Sequence, residues 1–271
     1  MIKEIRIKNF KSIQKLKLDI GRLTVLIGEN GSGKTNILEA LALGSAAADR
    51  KLDNEFLAPR GIRVTDPQFM RAAFDKENIS QEIMLSFKGD SDNSFDCKLQ
   101  NDNRPYSKWA DKPDEAIDKI VKRMIEGLDR VVRAETKDKV IKQASEAFER
   151  EMAVRLNLHG FLIYSPENDS LRVFEKEGQI EPLGIKGEGL FKLLKVLRTD
   201  ENIEKMNSVK EKLQCIRWFR DFDISLSPEM ERQIRIKDKY LDQSLADLDQ
   251  RSADEGFLFL LFYFALFVSD D

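Results

Sequence analysis

Eight consecutive residues near the N-terminus have the types and the spacing needed to hold phosphate groups. The run is Gly28-Glu29-Asn30-Gly31-Ser32-Gly33-Lys34-Thr35, which matches the pattern G-x-x-x-x-G-K-[ST]. Its glycines leave no side chain between the backbone and a phosphate, so the backbone N–H groups can converge on one oxyanion. Lys34 would place a cation beside the β- and γ-phosphates, and the Thr35 hydroxyl would ligate Mg²⁺. The run therefore predicts a site for ATP and Mg²⁺.

The segments on either side of this loop decide whether the pattern is a site or a chance glycine-rich turn. Leu23–Ile27 is short, apolar and rich in β-branched residues, which is typical of a buried parallel strand. Asn36–Leu43 consists mainly of good helix formers. A helix that starts near Gly33 adds free N–H groups and the positive end of its dipole. The order strand, loop, helix favours a phosphate-binding loop.

Composition sets limits on the protein class. The chain has 271 residues, 41% of them hydrophobic and 34% charged, which is typical of a globular protein with a large core and charge-rich helices. The net charge of −3 excludes a global basic field for nucleic acid. Cys97 and Cys215 form no disulfide framework or zinc pattern, and His159 has no evident metal partner. We interpret both cysteines as structural and predict a cytoplasmic location.

Two segments resemble targeting or membrane signals only superficially. The N-terminal residues Met1–Glu4 do not begin a signal peptide. Phe257–Val268 is an unbroken apolar run of 12 residues, whereas a membrane-spanning helix needs about 20. We therefore predict a buried core helix over 257–268 and no membrane association.

The remaining pattern predicts alternating strands and helices. Two strands within residues 1–20 are joined by a turn at 9–12, and a helical segment over 113–157 is expected to break near 134–138. Further strands are predicted at Gln81–Phe87, Ser94–Leu99, Phe161–Tyr164, Leu171–Glu175, Arg217–Leu226 and Arg232–Lys237, and further helices at Leu190–Leu197 and Glu201–Leu213.

Several of these segments together resemble one family. Ile7–Ser12 followed by Gly28–Asn36 resembles the start of the RecF/SMC-type ABC ATPases, a group that includes the OLD nucleases and several bacterial antiphage ATPases. Tyr164–Glu167 and Leu183–Leu190 are similar to later segments of that family. The resemblance covers nearly the whole chain and is strongest at the N-terminus.

The resemblance implies an α/β fold, namely an ABC-ATPase head with N-terminal antiparallel strands, a strand–loop–helix core and a helical insertion. The corresponding domains are an N-terminal lobe with the phosphate loop over residues 1–110, a helical insertion over 111–158, and the remainder of the head over 159–271.

Residue roles carry over from the resemblance position by position. Lys11 and Ser12 match the place where the N-terminal hairpin approaches the nucleotide. Ser252 matches the signature motif that would complete the nucleotide site of a partner in a head-to-head dimer, although Asp254-Glu255-Gly256 departs from the usual glycine-rich pair. A helix N-cap is the alternative for Ser252. The expected nucleotide-binding residues are Lys11, Ser12, Glu29, Asn30, Gly31, Ser32, Gly33, Lys34, Thr35, Asn36 and Ser252, with Thr35 also the metal ligand.

The sequence departs from the family pattern at one point, which concerns hydrolysis of ATP and not its binding. The family has a later strand ending in an acidic pair, which holds Mg²⁺ through water and polarises the attacking water. Phe267–Asp271 is a weak alternative for that strand, because residues 257–268 cannot be both a helix and a strand. The chain is therefore expected to be the N-terminal part of a longer ATPase or a shortened one. By itself it would bind ATP without a complete hydrolytic site, so no catalytic residue is assigned.

Three functions remain open at this point. The first is an ABC-type ATPase that forms a homodimer or higher oligomer through the ATP interface and acts in DNA repair or antiphage defence, with DNA or a nuclease effector as partner. The second is an ATP-binding scaffold without turnover that recruits a separate effector. The third is a kinase or GTPase that shares only the loop; no guanine-specifying Asn-Lys-x-Asp motif occurs, and a small-molecule kinase would not explain the N-terminal hairpin. A basic run in the helical segment could face DNA, but interleaved acidic residues favour a solvated face; it comprises Lys119, Lys122, Arg123, Arg130 and Arg133.

Overall fold

The computed structural model describes residues 1–90, 93–104, 107–112, 115–126, 134–174, 182–224, 233–242 and 247–269. The chain divides into two compact units, Met1–Ile163 and Tyr164–Asp271. Each unit has a hydrophobic core of its own.

A five-stranded antiparallel sheet forms the centre of the first unit, in the order β2-β1-β3-β4-β5. Its strands are β1 (Ile2–Phe10), β2 (Ile13–Asp19), β3 (Ile83–Gly89), β4 (Ser94–Gln100) and β5 (Ala110–Asp111). Apolar and polar residues alternate along β1, so Ile5 and Ile7 are buried while Arg6 and Lys8 are exposed. The predicted N-terminal hairpin and the strands predicted at Gln81–Phe87 and Ser94–Leu99 are confirmed, and the latter two pair as β3 and β4.

Helix α1 (Lys34–Ala48) packs on the buried face of this sheet. Its glycine, Gly44, permits a close approach: a Cβ atom there would lie 2.2 Å from Cζ of Phe87 on β3. The helix begins directly after the glycine-rich loop, as predicted. Because the C-terminal two-thirds of α1 is buried, the helix is fixed to the sheet and holds the loop at its N-terminus.

Short helices and a helical insertion complete the first unit. The short helices are α2 (Asn54–Leu57) and α3 (Pro67–Met70), and the insertion contains α4 (Glu115–Glu126) and α5 (Ala134–Arg155). The predicted break at 134–138 is wrong, because α5 already begins at Ala134. Ala, Glu and Lys in that stretch favour a helix. On α4, Lys122 and Arg123 are exposed, while Arg130 and Arg133 lie outside the described residues.

The second unit combines helices with a small antiparallel sheet. Its helices are α6 (Asn168–Arg172), α7 (Leu190–Leu197), α8 (Ile203–Leu213) and α9 (Glu255–Ser269), and its strands are β6 (Phe219–Ile224), β7 (Ile234–Asp238) and β8 (Leu248–Asp249). The apolar run lies in α9, where Phe257, Leu261 and Phe262 are buried, so the predicted core helix is confirmed. Phe267 belongs to the same helix, which excludes a strand beginning there.

Three predicted strands are absent from the described part of the chain. Leu23–Ile27 forms no strand in the described chain, and its side chains are mostly exposed, at 85% for Leu23 and 91% for Ile27. Phe161–Tyr164 likewise lacks strand pairing. Residues 168–172 form α6 where an edge strand over Leu171–Glu175 was predicted. An apolar run becomes a strand only when a neighbouring backbone completes its hydrogen bonds, and a local pattern does not reveal that neighbour.

Among the described residues, none of the helices combines the length and the apolar character needed to cross a bilayer.

Candidate nucleotide-binding site

The glycine-rich loop adopts backbone angles that require glycine at two positions. Gly31 has φ 87° and Gly33 has φ 90°, both in the left-handed region. Gly33 is also the residue that precedes α1, and its carbonyl accepts a hydrogen bond from the N–H of Ile37 at 3.2 Å. A Cβ atom on Gly33 would lie 2.9 Å from Oγ of Ser12. The loop therefore closes tightly at the helix N-terminus, where free backbone N–H groups can bind an anion.

Lys34 lies across the loop that precedes it. Its Nζ donates to the carbonyl oxygens of Gly28 at 2.8 Å and Glu29 at 2.7 Å. These bonds hold the ammonium group inside the curve of the loop, next to the N-terminus of α1. Thr35, the predicted Mg²⁺ ligand, follows directly and is exposed.

The turn between β1 and β2 is held in place by buried polar contacts. Asn9 (φ 60°) and Lys11 (φ 48°) both have left-handed backbone conformations. The side chain of Asn9 is buried; its Oδ1 accepts from the N–H of Ala72 at 3.0 Å, and its Nδ2 donates to the carbonyl of Asn78 at 2.9 Å. The N–H of Lys11 donates to the carbonyl of Met70 at 3.0 Å. These bonds fix the direction in which Lys11 and Ser12 leave the turn.

Five side chains connect this turn to the glycine-rich loop and to α1. Ser12 Oγ accepts from Asn36 Nδ2 at 2.6 Å, and Asn36 Oδ1 accepts from Arg63 Nη2 at 3.0 Å. Arg63 Nε donates to Glu39 Oε1 at 2.6 Å, and the other oxygen of Glu39 accepts from Nζ of Lys11. Since Lys11 precedes Ser12 in the chain, the five residues form a closed circuit, which we call the polar ring.

Glu39 is the buried anion of the polar ring. Its side chain has no exposed surface, and it faces the cationic groups of Lys11 and Arg63. Burial lowers the pKa of Lys11, and the hydrogen bond from Lys11 to Glu39 offsets part of that effect. Because one buried carboxylate is shared by two cations, this group of three side chains has one positive charge in excess.

A cavity of about 780 Å³ lies between the loop, the turn and the segment around α3. Its lining comprises Lys11, Ser12, Asn30, Gly31, Gly33, Lys34, Thr35, Asn36, Arg63, Thr65, Phe69, Arg71, Ala73 and Phe74. Eight of the predicted nucleotide-binding residues line it together. The lining in the described chain contains four basic side chains and no acidic one, although the whole chain has a net charge of −3.

The other predicted site residues lie elsewhere. Glu29 and Ser32 belong to the loop but are not among the described residues that line the cavity. Ser252 lies in the second unit, where its N–H donates to Oδ1 of Asp249 at 2.9 Å. It is not the cap of α9, because Oδ1 of Asp254 accepts from the N–H of Phe257 at 2.9 Å and fills that role. The assignment of Ser252 to a partner's nucleotide site stays a prediction.

Sequence reasoning missed Arg63, Glu39 and the two phenylalanines of the cavity. Arg63 lies in an irregular segment whose sequence pattern does not indicate a site residue. Glu39 could have been recognised, since a single acidic residue within the apolar run of α1 requires a buried partner. Phe69 and Phe74 appear in the sequence as ordinary apolar residues.

The residues present fit a nucleoside triphosphate with Mg²⁺. A polyanion is suited by the positive φ angles of Gly31 and Gly33, by the helix N-terminus and by the basic side chains of Lys11, Lys34 and Arg63. No described group of three or more His, Cys, Asp or Glu side chains could hold a metal ion by itself. Mg²⁺ at Thr35 would therefore depend mainly on phosphate and water ligands, as this ion commonly does.

Comparison with known proteins agrees with this geometry. The chain is 29% identical to the DNA repair protein RecN of Bacillus subtilis over 218 residues, which cover 65% of the chain and 37% of RecN. It is 33% identical to the DNA replication and repair protein RecF of Bacillus cereus, covering 32% of the chain and 24% of RecF. It is also 33% identical to the OLD nuclease of Thermus scotoductus, covering 28% of the chain and 16% of that nuclease.

The chain thus spans 37% or less of the length of these relatives. The family profile described as "AAA ATPase domain" matches residues 1–257, which is nearly the whole sequence and includes both the glycine-rich loop and the polar ring. The chain therefore belongs to the AAA ATPase domain family.

Proposed function

We propose that this chain binds ATP with Mg²⁺ in the cavity of the first unit, as the nucleotide-binding head of an ATPase that acts on DNA. The observation that carries the proposal is that Lys11, Lys34 and Arg63 line one cavity beside a glycine-rich loop at a helix N-terminus. Charge-assisted hydrogen bonds to phosphate are among the strong ones, and this lining supplies several at once. Relatives named for DNA repair support DNA as the partner.

The residues of the chain would act on the nucleotide in distinct ways. Loop N–H groups and Lys34 would neutralise the phosphates, and Thr35 would orient Mg²⁺, which supplies further charge neutralisation when bound. On binding, Lys34 would exchange its hydrogen bonds to the carbonyls of Gly28 and Glu29 for bonds to phosphate. This exchange would couple nucleotide binding to the shape of the loop.

We further propose that two copies dimerise around ATP, with Ser252 facing the partner's nucleotide. An antiphage role with a nuclease effector is compatible with the resemblance to the OLD nuclease.

A second candidate is an ATP-binding scaffold that does not hydrolyse the nucleotide and recruits a separate effector. It is favoured by the absence of an acidic side chain in the described lining of the cavity. Hydrolysis requires a group that polarises or positions the attacking water, and the neutral and basic side chains that line the cavity include no carboxylate for that role.

Calorimetric titration of the full chain with Mg·ATP, together with phosphate release, tests both candidates. The variants are Lys34→Ala and, as a matched control, Lys8→Ala on the exposed face of β1. We expect wild type and Lys8→Ala to bind alike, and Lys34→Ala to bind at least about tenfold more weakly, since a hydrogen bond to a charged group contributes roughly 1.5–3 kcal/mol. Equal affinity in all three proteins would refute the proposed site.

Phosphate release then separates the two candidates. Turnover that is lost in Lys34→Ala would identify an ATPase with its water-polarising group within this chain. Binding without turnover, in the presence and absence of duplex DNA, would favour the scaffold.

A further inference from the structure

Two exposed phenylalanines line the same cavity as the phosphate loop. Phe69 is 57% exposed and Phe74 is 68% exposed. A single exposed apolar residue needs no explanation. Here two aromatic rings lie together in the lining of one cavity, and the other described side chains of that lining are basic or mostly polar. We call Phe69 and Phe74 the aromatic wall.

The backbone that carries the aromatic wall is rigidly anchored. Between the two rings, Met70, Arg71 and Ala72 are all buried. Arg71 Nε donates to the carbonyl of Gln81 at 2.7 Å, and its Nη2 donates to the carbonyl of Asn101 at 2.7 Å. Exposure of the two rings therefore does not come from a loosely held segment.

The same anchors connect the aromatic wall to the phosphate site. The carbonyl of Met70, next to Phe69, accepts from the N–H of Lys11, and the N–H of Ala72 donates to Asn9 in the same turn. That turn contacts the loop through Ser12 and Asn36. A short series of hydrogen bonds thus fixes the position of the rings relative to the basic groups of the cavity.

We propose that the aromatic wall is the platform for the nucleobase of the nucleotide whose phosphates occupy the glycine-rich loop, and that the ligand class is a purine nucleoside triphosphate. This inference rests on the proposed nucleotide-binding function. The lining combines basic side chains from the turn and the loop, Lys11 and Lys34, with two exposed aromatic rings in and just after α3, which suits the phosphate and base ends of such a ligand. A larger ring system stacks over more area, which favours purine over pyrimidine.

The test compares a ligand that has a base with one that has none. The full chain is titrated with Mg·ATP and with Mg·tripolyphosphate, as wild type, Phe69→Ala, Phe74→Ala and the double variant. Phe267→Ala, a similarly exposed phenylalanine on α9, is the matched control. Far-ultraviolet circular dichroism checks that each variant is folded.

We expect wild type to bind ATP about tenfold to a hundredfold more tightly than tripolyphosphate, from the usual strength of stacking on an aromatic side chain. The double variant should lose most of that preference while its affinity for tripolyphosphate stays unchanged. Phe74→Trp should retain the preference and show indole fluorescence that responds to ATP and not to tripolyphosphate.

The remaining outcomes overturn the inference in distinguishable ways. If wild type binds both ligands equally, or if the phenylalanine variants keep the preference for ATP, the phosphate site stands and the platform is wrong. If the variants weaken both ligands equally, the rings support the fold and do not stack on a base. If wild type binds neither ligand, the proposed function itself fails.

Discussion

Nε of Arg63 lies 2.6 Å from Oε1 of Glu39, a carboxylate with no exposed surface. The other oxygen of that carboxylate pairs with Lys11, which comes from a different part of the chain. One buried anion on α1 therefore fixes two cations from the β1–β2 turn and from the segment before α3. The positions of two basic side chains of the cavity therefore depend on this one acidic side chain.

Glu39→Gln is expected to reduce the free energy of unfolding by roughly 3 kcal/mol. Breaking a buried ion pair leaves a buried charge without its partner, and the value is placed at the lower end because Arg63 is 64% exposed. Urea denaturation measures the change, with the exposed Glu211→Gln on α8 as control. The double variant Glu39→Gln/Lys11→Met should recover part of the loss, and an unchanged midpoint in Glu39→Gln would contradict the polar ring.

Arg63→Ala is expected to weaken ATP binding by about tenfold and to lower the free energy of unfolding by roughly 1 kcal/mol. Its removal takes one of two cations from the buried carboxylate of Glu39, but Arg63 itself is mostly exposed and Lys11 still pairs with that carboxylate. Arg63 also lines the cavity and positions Asn36. Arg63→Lys should restore only part of the affinity, because an ammonium group cannot reach both Glu39 and Asn36 as the guanidinium does. Unchanged affinity in Arg63→Ala would show that this residue serves only the fold.

Gly44→Ala is expected to destabilise the protein by about 2 kcal/mol. In an exposed helix the same change would stabilise by up to about 1 kcal/mol. Here the added methyl group would lie 2.2 Å from the Phe87 ring, so either the ring or the helix must move. Thermal unfolding measures the effect, and Phe87→Leu in the same chain should relieve part of it. A stabilising Gly44→Ala would show that the helix does not approach β3 this closely.

The two cysteines are expected to differ in alkylation. Burial, followed by the nearby Asp111 and Asp96, raises the pKa of Cys97 well above its ordinary value, whereas Cys215 is exposed. Iodoacetamide at pH 8 should modify Cys215 in the native protein and both residues in denaturant, as read by peptide mass spectrometry. Rapid native labelling of Cys97 would contradict its burial.

The raised pKa of Cys97 also sets the sign of a pH effect. Above the ordinary thiol pKa the unfolded chain releases a proton that the folded chain retains. The contribution of Cys97 to stability is therefore fully present below about pH 8.5 and declines as the pH rises beyond it. A Cys97→Ala variant should lack this decline relative to wild type.

Prediction from the sequence was reliable where the determinants are local. Spacing alone located the glycine-rich loop, α1, the N-terminal hairpin and the apolar helix α9, because each depends on neighbouring residues. The resemblance added Lys11 and Ser12, which line the cavity. The strand predicted for Leu23–Ile27 failed because strand formation depends on a partner that no local pattern specifies.

The polar ring could not be predicted for a similar reason. Glu39 and Arg63 are 24 positions apart, and their contact depends on how the segment after α2 returns to α1. Phe69 and Phe74 remain exposed because Arg71, which lies between them in the chain, is anchored in the core. A local sequence pattern does not show that anchoring. Long-range contacts of this kind determine most of the cavity beyond the loop.

Because α1 is a stiff rod, its contact with Phe87 also acts on the nucleotide end of the helix. Gly44 lies 11 positions after Gly33, or about 16 Å along the axis at 1.5 Å per residue. We therefore expect a small displacement where the helix meets β3 to tilt the end of the helix that carries the loop. Positions 44 and 87 should consequently behave in a mutational scan as sites that control ligand affinity from a distance, although neither lines the cavity in the described chain.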